Sequence, residues 1–457
     1  MSSNSSGIIA VAANSTDRRR LILLTLSLGV LVAQVDTSVV NLAAQPIGVA
    51  FHASVTGLQW VLDAYNLTYA VLLLSGGLCA DMFGRRLIFQ GGAAVIAVSS
   101  VACVLSPNIG VLVAARAVMG LGAAMLLPAS LAIVRVVWRD QAARRRALGV
   151  WASCNGLAFA IGPTLGGLLI GRLGWQSVFL VAVPLAVAAF ILARAVVPET
   201  ADAAGRSIDV MGQILGAVAL GGLVFAVIAF RDGGNAWVVS LALSVLAFAL
   251  FIPVERRAAA AALVPLDLFQ GRPFRGAITA TAAMTFGIYG MIFLLPLVWQ
   301  SCGLLTAQGA GLALMPCAML FFLIAPRSGH LAQRAGVRVS AACGTAICGA
   351  GLVVLSLTHL GQPLLWAGVG LALTGVGMGI NTGPLMSVAV DAVGSERAGT
   401  AASLINVARM AGATTGVAVL GAAFAFFGGG VTGWCVAMGL GGAVQLCGAL
   451  VAWATIR

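Results

Sequence analysis

The sequence predicts an all-α polytopic membrane protein, and both its composition and its apolar stretches support that fold class. Hydrophobic residues make up 61% of the 457 residues and charged residues only 8%, whereas a soluble domain carries about 25% charged residues. Stretches of about 20 apolar residues, the length needed to cross a bilayer, recur along the whole chain. No polar stretch is long enough to form a separate soluble domain.

Fourteen stretches have the length and apolarity of membrane-spanning helices. Two longer polar connections, near 198–208 and 255–273, bracket a pair of them, so the layout is six helices, two inserted helices and six more. We place the spans near 21–45, 55–78, 87–106, 109–134, 147–170, 175–197, 209–229, 237–254, 274–298, 305–326, 338–358, 364–388, 398–426 and 430–454.

The arginines test this count, because cytoplasmic loops of membrane proteins are enriched in basic residues. With the N-terminus inside, the outer loops hold only Arg172 and Arg231. A miscounted span would invert every later loop and remove this asymmetry, so both termini are predicted to be cytoplasmic. The inner segments hold Arg18 to Arg20, Arg85, Arg86, Arg135, Arg139, Arg144 to Arg146, Arg194, Arg206, Arg256, Arg257, Arg272, Arg275, Arg327, Arg334, Arg338, Arg397 and Arg457.

The layout divides the chain into four segments. We expect a disordered cytoplasmic tail over 1–20, an N-terminal six-helix half over 21–197, a linker with two inserted transmembrane helices over 198–273, and a C-terminal six-helix half over 274–457. The net charge of +12 follows the membrane topology and gives no reason to expect a nucleic-acid partner.

An internal repeat relates the two six-helix halves. The loop after span 2 and the loop after span 10 share their spacing of small and basic residues, although Asp81 of the first is replaced by Gln333 in the second. Parallel halves of this kind are an architecture of secondary transporters. The matched pairs are Gly77 with Gly329, Ala80 with Ala332, Gly84 with Gly336, and Arg86 with Arg338.

Five motifs occur in order along the chain and together resemble the major facilitator superfamily closely. The first and the last are similar to motifs of its 14-helix drug/proton antiporter branch, the EmrB/QacA type. One departure is Met82 after Asp81, where the family often has Arg or Lys, and it weakens the charge network of that loop. The motifs are Asp36 to Asn41 in span 1; Gly77, Asp81, Gly84, Arg85 and Arg86 after span 2; Arg116, Gly120 and Gly122 in span 4; Gly156, Gly162, Pro163, Gly166 and Gly167 in span 5; and Ser395 to Ala402 with Asn406 and Arg409 in span 13.

The resemblance implies a major facilitator fold of 6+2+6 transmembrane helices in a bacterial cytoplasmic membrane. It further implies proton-coupled antiport of lipophilic, cationic drugs or antiseptics by alternating access. The alternative is a proton-coupled transporter of a specific metabolite on the same fold.

The intramembrane charges are the first candidates for proton coupling, because an ion at the bilayer centre costs about 2.5–3.5 kcal/mol even on lenient scales. Helix rise places Asp36, Asp63 and Arg116 in the outer half of the first bundle, which permits one water-accessible cluster of two acids and a guanidinium. Asp36 is the leading proton carrier or cation site, and a purely structural hydrogen bond is its alternative. Arg116 either tunes coupling or tethers helices, and Asp63 either senses substrate charge or lies near the outer headgroups. Arg409 at mid-depth is expected to be a structural tether.

Two motifs have mechanical interpretations. The loop of Asp81 and its flanking glycines is predicted to be a cytoplasmic latch that releases when the halves rock, with an ordinary charged turn as the alternative. Pro163 kinks its helix, and the four glycines around it let helix backbones approach. Tight packing there would limit proton leak, and generic small-residue packing is the alternative.

Aromatic and amide side chains near Asp63 are candidate substrate contacts. Aromatic faces attract lipophilic cations, and ordinary packing is the alternative. The residues are Trp60, Tyr65, Asn66 and Tyr69 on span 2, and Tyr289 on span 9.

Several function classes are excluded by what the sequence lacks. It contains no paired histidines, metal-ligand spacing, phosphate-binding glycine loop or nucleophile elbow, so we expect neither an enzyme nor a metal site. It contains no ATP-binding motif, so no cofactor is expected and the energy must come from an ion gradient. We therefore expect a monomer in the lipid bilayer whose partner is a small hydrophobic or cationic substrate.

Overall fold

The computed structural model describes residues 4–138, 140–201, 209–230, 234–258, 264–358, 364–393 and 397–456. The first half contains α1 (Asn4–Phe51), α2 (Val55–Phe83), α3 (Arg85–Val104), α4 (Ile109–Val137), α5 (Gln141–Leu173), α6 (Ser177–Leu180) and α7 (Ala182–Val196). The insert contains α8 (Val210–Ala229) and α9 (Ala236–Ala258). The second half contains α10 (Arg272–Ser301), α11 (Ala307–Ala313), α12 (Met315–Ile324), α13 (Ser328–Ala335), α14 (Val337–Leu357), α15 (Leu364–Asp391), α16 (Ala398–Phe426) and α17 (Gly430–Thr455), with short 3-10 turns at Leu266–Gln270 and Ala325–Arg327.

The fold class is confirmed. The described part contains 14 helices long and apolar enough to cross a membrane, and no strand occurs among the described residues. One span consists of α6 and α7. Another consists of α11, α12 and α13, where Pro316 and Pro326 each remove a backbone donor and interrupt the helix.

The start of α1 differs from the predicted boundary. The sequence predicts a disordered tail over 1–20, whereas α1 is helical from Asn4. The part of α1 that qualifies as a membrane span begins at Asp17. No proline interrupts the chain before Pro46, so helical hydrogen bonding continues past the apolar stretch on which the prediction was based.

The repeated loops have the same geometry in both halves. Gly84 and Gly336 both have positive φ, 118° and 90°, which glycine adopts without a Cβ clash. Arg86 donates to the Val197 carbonyl at 3.3 Å, and Arg338 donates to the Trp453 carbonyl at 2.7 Å. Each arginine therefore ties its loop to the end of the last helix of its own half, as a repeated architecture requires.

The two inserted helices lie at the periphery of the bundle. α8 packs against α2 and α16, which belong to different halves. Gln213 of α8 donates to the Val71 carbonyl at 2.5 Å, and Trp60 of α2 packs on Phe225 of α8. α9 packs on α8, and its apolar side chains such as Phe248 are exposed, as expected for a surface that contacts lipid.

The halves contact each other on the predicted outer side. Gln59 of α2 donates to the carbonyls of Val417 and Ala418 on α16 at 3.0 and 2.9 Å. Gln300 of α10 donates to the Leu42 carbonyl of α1 at 3.2 Å. These bonds join the two six-helix units and close the bundle on that side.

Candidate functional site

Asp36 on α1 and Arg116 on α4 form a buried ion pair inside the first half. Arg116 Nη1 donates to Asp36 Oδ2 at 2.5 Å, and the side chains are 2% exposed for Arg116 and 0% for Asp36. The second carboxylate oxygen, Oδ1, is buried and has no hydrogen-bond partner among the described residues. One oxygen of Asp36 is therefore held by the guanidinium, and the other can accept a further hydrogen bond or a proton.

Arg116 is fixed by α2 as well as by Asp36. Its Nε donates to the Val61 carbonyl at 3.0 Å, and its Cζ lies 4.6 Å from the centre of the Tyr65 ring. The Tyr65 hydroxyl donates to the Ala33 carbonyl of α1 at 2.9 Å. Since α1, α2 and α4 all meet at this guanidinium, a change in the charge of Asp36 would act on three helices at once.

Asp63 makes no ion pair with Arg116 among the described residues, so the cluster of two acids and one guanidinium that the sequence permits is not formed here. Asp63 is fully buried and neither of its oxygens has a hydrogen-bond partner among the described residues. Val61 and Tyr65 both face Arg116, and Asp63 is two residues from each. At about 100° per residue it lies about 200° around the helix from both.

Asp63 instead shares the face of α2 that contacts the second half. It follows Gln59 by four residues, which places the two side chains on one face, and Gln59 is bonded to α16. Asn66, three residues further on, is also buried and its Oδ1 has no partner among the described residues. This face of α2 therefore carries one acid, Asp63, together with the amides of Gln59 and Asn66.

The loop after α2 is held by two carboxylates. Asp81 accepts hydrogen bonds from Arg85 Nε at 3.0 Å and Nη2 at 2.7 Å. Glu199 accepts from the backbone N–H groups of Arg86 and Leu87 at 3.0 and 3.1 Å, and its Oε2 lies 3.5 Å from Arg86 Nε. Glu199 thus caps α3 from the segment that follows α7.

Sequence reasoning missed Glu199. The available signal was an acid directly after span 6, at the edge of inner segments that otherwise carry arginines.

Replacing Glu199 with Ala is expected to lower the free energy of unfolding by about 1 kcal/mol, because two N–H groups at the start of α3 lose their acceptor. Unfolding by SDS in mixed micelles would measure the loss. The matched control is Asp267→Ala, which removes an exposed ion pair with Arg397 and is expected to have little effect. An equal loss in both variants would contradict the capping role of Glu199.

The glycines of α5 lie where backbones come close. A methyl group at Gly166 would lie 2.8 Å from Val39 Cγ1 of α1, and one at Gly162 would overlap Ser38 of the same helix. A methyl at Gly167 would lie 2.7 Å from the Ala307 carbonyl oxygen of α11. The motif therefore packs α5 against its own half and, through Gly167, against the second half.

Gly156 and Pro163 occupy two different positions on α5. A methyl group at Gly156 would lie 3.6 Å from Phe322 and 3.8 Å from Phe321, an ordinary contact distance, and Gly156 lines a cavity between the halves. The Pro163 carbonyl lies against Gly311 of α11, where a methyl group would overlap it.

A cavity of about 770 Å³ lies between the halves, on the predicted cytoplasmic side of their contacts. This volume is in the range of sites for drug-sized compounds. Two charged side chains, Arg146 and Arg409, are among its described lining residues, and no carboxylate is. The lining is Gln34, Tyr69, Leu73, Leu127, Pro128, Leu131, Arg146, Gly149, Val150, Trp151, Ser153, Gly156, Phe321, Phe322, Ala325, Pro326, Ser328, Thr382, Gly383, Met386, Ser403, Asn406 and Arg409.

One of the five predicted substrate contacts, Tyr69, lines this cavity. Trp60 packs on the insert, Tyr65 packs under Arg116, and Asn66 is buried in α2. Tyr289 is partly buried and packs against the hydrophobic core. Tyr65, Tyr69 and Tyr289 thus share one hydrophobic cluster, but Trp60 lies outside it and only Tyr69 of the five candidates is among the residues that line the cavity.

The three residues with predicted structural or coupling roles have separate positions. Asn41 donates to the Thr37 carbonyl at 2.7 Å within α1. Asn406 donates to the Ala402 carbonyl at 2.9 Å within α16 and lines the cavity, as does Arg409. Within the described residues no group of three or more His, Cys, Asp or Glu side chains could hold a metal ion.

Comparison with known proteins gives a consistent result. The model of the Major Facilitator Superfamily matches residues 26–417. The Multidrug resistance protein Stp of Mycobacterium tuberculosis (strain CDC 1551 / Oshkosh) is 34% identical over 411 residues, which cover 89% of this chain and 76% of that protein. The Methylenomycin A resistance protein of Bacillus subtilis (strain 168) is 33% identical over 423 residues, 91% of this chain and 89% of that protein. A crystal structure of a peptide transporter POT in complex with sulfate has a TM-score of 0.72 at 14% identity, covers 95% of this chain and 94% of that chain, and supports the fold alone.

Proposed function

This chain belongs to the Major Facilitator Superfamily, and from that premise we propose that it exports small lipophilic compounds in exchange for protons. The names of its relatives, which refer to multidrug and methylenomycin A resistance, support export of drug-like compounds. The chain is a multi-pass membrane protein, and a bacterial cytoplasmic membrane fits the sources of those relatives.

The buried Asp36–Arg116 pair carries the proton-coupling part of the proposal. A carboxylate with one oxygen bound by a guanidinium and the other without a partner can take up a proton when water reaches it. Protonation removes the negative charge, weakens the bond to Arg116 and leaves the guanidinium attached to α2 through the Val61 carbonyl. The protonation state of Asp36 would then determine how firmly α1 is held to α4.

A physical route connects this pair to the cavity. The Tyr65 ring, which packs against Arg116, lies 6.2 Å between centroids from the Tyr69 ring, and Tyr69 lines the cavity. Substrate in the cavity and proton on Asp36 would therefore act on adjoining parts of α1 and α2. In alternating access the outer contacts of Gln59 and Gln300 would break as the cavity closes.

Reconstitution tests this proposal. In proteoliposomes loaded with a fluorescent lipophilic compound, an imposed pH gradient is expected to drive export from the side of the cavity, and a protonophore is expected to stop it. No cofactor should be needed in the buffer. A matched preparation without the protein gives the passive leak.

The same assay distinguishes polyspecific export from the alternative, transport of one specific metabolite. Several unrelated lipophilic compounds would be tried with protein that is monodisperse and binds at least one of them. If the pH gradient drove the transport of none of these compounds, the result would contradict polyspecific export. It would favour a proton-coupled transporter of one metabolite on this fold.

A further inference from the structure

One face of α16 carries a polar stripe into the cavity. Ser403, Asn406 and Arg409 follow each other at intervals of three residues, which places them along one side of a helix, and all three line the cavity. Arg409 is 11 residues from the start of α16 at Ala398, so it lies about 16 Å into the span. That is close to half of a hydrocarbon core of about 30 Å.

Arg409 has no anionic partner among the described residues. Its Nε is buried without a hydrogen-bond partner in the described part of the chain. The described ion pairs of Asp36, Asp81, Glu199 and Asp267 are made with other arginines. A cation at this depth is costly unless an anion or hydrogen-bond acceptors surround it, so an acidic ligand would stabilise it.

The second charge of the cavity has the same sign. Arg146 lies near the N-terminal end of α5, is exposed, and lines the part of the cavity toward the predicted cytoplasmic side. An anion would therefore meet a positive potential first at Arg146 and then at Arg409. Asp36 and Asp63, the acids expected to attract a cation, are buried outside the cavity lining.

Most of the remaining wall is apolar, and its other polar side chains are the uncharged Gln34, Ser153, Ser328 and Thr382. Leu73, Leu131, Trp151 and Phe321 line it together with Tyr69. Such a surface accepts an aromatic or aliphatic body without demanding a particular pattern of hydrogen bonds. A guanidinium provides parallel N–H donors that match the two oxygens of a carboxylate.

We propose that the cavity binds amphiphilic organic acids, with the acidic group at Arg409 and the apolar body against the wall around Tyr69 and Phe321. This inference rests on the proposed export function and specifies its substrate class. It replaces lipophilic cations, which the sequence predicts, with compounds of the opposite charge.

Binding of three probes with one aromatic frame tests the charge preference. Naphthylacetic acid is an anion at neutral pH, naphthylacetamide is neutral, and naphthylmethylamine is a cation. Equilibrium dialysis of the radiolabelled compounds against the purified full chain in detergent is expected to rank the acid first and the amine last. The amine ranking first would overturn the proposal, and so would equal affinity for acid and amide.

Variants test the role of Arg409. Arg409→Gln is expected to weaken binding of the acid at least tenfold, equal to about 1.4 kcal/mol, and to leave binding of the amide unchanged. Arg409→Lys keeps the charge and is expected to recover part of the loss. Arg172→Gln, at the opposite end of α5 and outside the cavity lining, is the matched control and should bind all three probes like the unmodified chain. Unchanged acid binding in Arg409→Gln would overturn the proposal.

The same probes keep this inference separate from the proposed function. Binding in detergent does not depend on transport activity. If the acid bound in an Arg409-dependent way but was not exported by the pH gradient, the result would contradict the export function and support the anion site. Gradient-driven export of the amine but not of the acid would keep the export function and overturn the anion site. If Arg409→Gln cannot be purified, the ranking of the three probes by the unmodified chain still decides.

Discussion

Asp36→Asn is expected to abolish accumulation of substrate against its gradient while leaving exchange of substrate across the membrane intact. Asn has the shape of Asp and keeps an oxygen that Arg116 can donate to, so the three helices that meet at the guanidinium should stay together. It has no group that takes up or releases a proton in the working range. The rocking of the two halves would continue without being coupled to proton flow.

Two measurements on the same proteoliposomes distinguish these properties. Counterflow, in which labelled substrate exchanges with unlabelled substrate in the absence of a pH gradient, is expected to proceed. Accumulation driven by an imposed pH gradient is expected to fall to the level set by leak. Loss of both activities would show a damaged protein and would contradict a role limited to coupling.

Asp63→Asn is the matched control for this experiment. Asp63 is also a fully buried acid of the first half, but it lies on a different face of α2 and forms no pair with Arg116 among the described ion pairs. Gradient-driven accumulation is expected to survive in Asp63→Asn. The reverse pattern, with accumulation lost only in Asp63→Asn, would move the proton site from Asp36 to Asp63.

The spans and loops could be predicted because their signals are one-dimensional. The length of each apolar stretch and the alternation of arginine-rich and arginine-poor loops depend only on position along the chain. The repeat of Gly84 and Arg86 in Gly336 and Arg338 has the same character, and the structure adds a matching carbonyl partner for each arginine. The start of α1 was predicted too late, because the apolar stretch and the helix do not begin together.

Predicting the site would have required the rotation of each helix about its own axis as well as the depth of each residue in the membrane. Asp63 and Arg116 were predicted to share a depth, yet Asp63 lies on the face of α2 away from Val61 and Tyr65. Helical periodicity applied to positions 61, 63 and 65 would have separated them once Val61 was known to contact Arg116. That contact depends on how α2 packs on α4, which no local pattern specifies.

The charge of the cavity was harder still to predict. Arg146 and Arg409 lie in different halves, 263 positions apart in the sequence, and they line one cavity only because the halves meet on the other side. The spacing of Ser403, Asn406 and Arg409 can be read from the sequence, but no local pattern indicates that this face of α16 lines a cavity. Nor does any local pattern indicate that acids elsewhere in the membrane would be buried outside the cavity.

Arg116→Met is expected to be the most destabilising single substitution in the first half. It leaves the Asp36 carboxylate buried without its counter-charge and also removes the bond to the Val61 carbonyl. Removing one partner of a buried ion pair typically costs about 3–5 kcal/mol of unfolding free energy. Unfolding by SDS in mixed micelles, or the midpoint of thermal unfolding in detergent, would measure the loss.

A double-mutant cycle shows how much of that loss comes from the stranded charge. In Asp36→Asn combined with Arg116→Met no ion is left at the site, so the double variant is expected to be more stable than Arg116→Met alone, because the cost of an unpaired buried charge has been removed. If Arg116→Met were as stable as the unmodified chain, Asp36 would have to be uncharged in the resting protein. The proton would then already be bound to Asp36, the residue from which we expect it to be released. Stability and transport of the same variants therefore test one physical assumption: Asp36 is ionised while Arg116 holds it and becomes neutral when the halves rock.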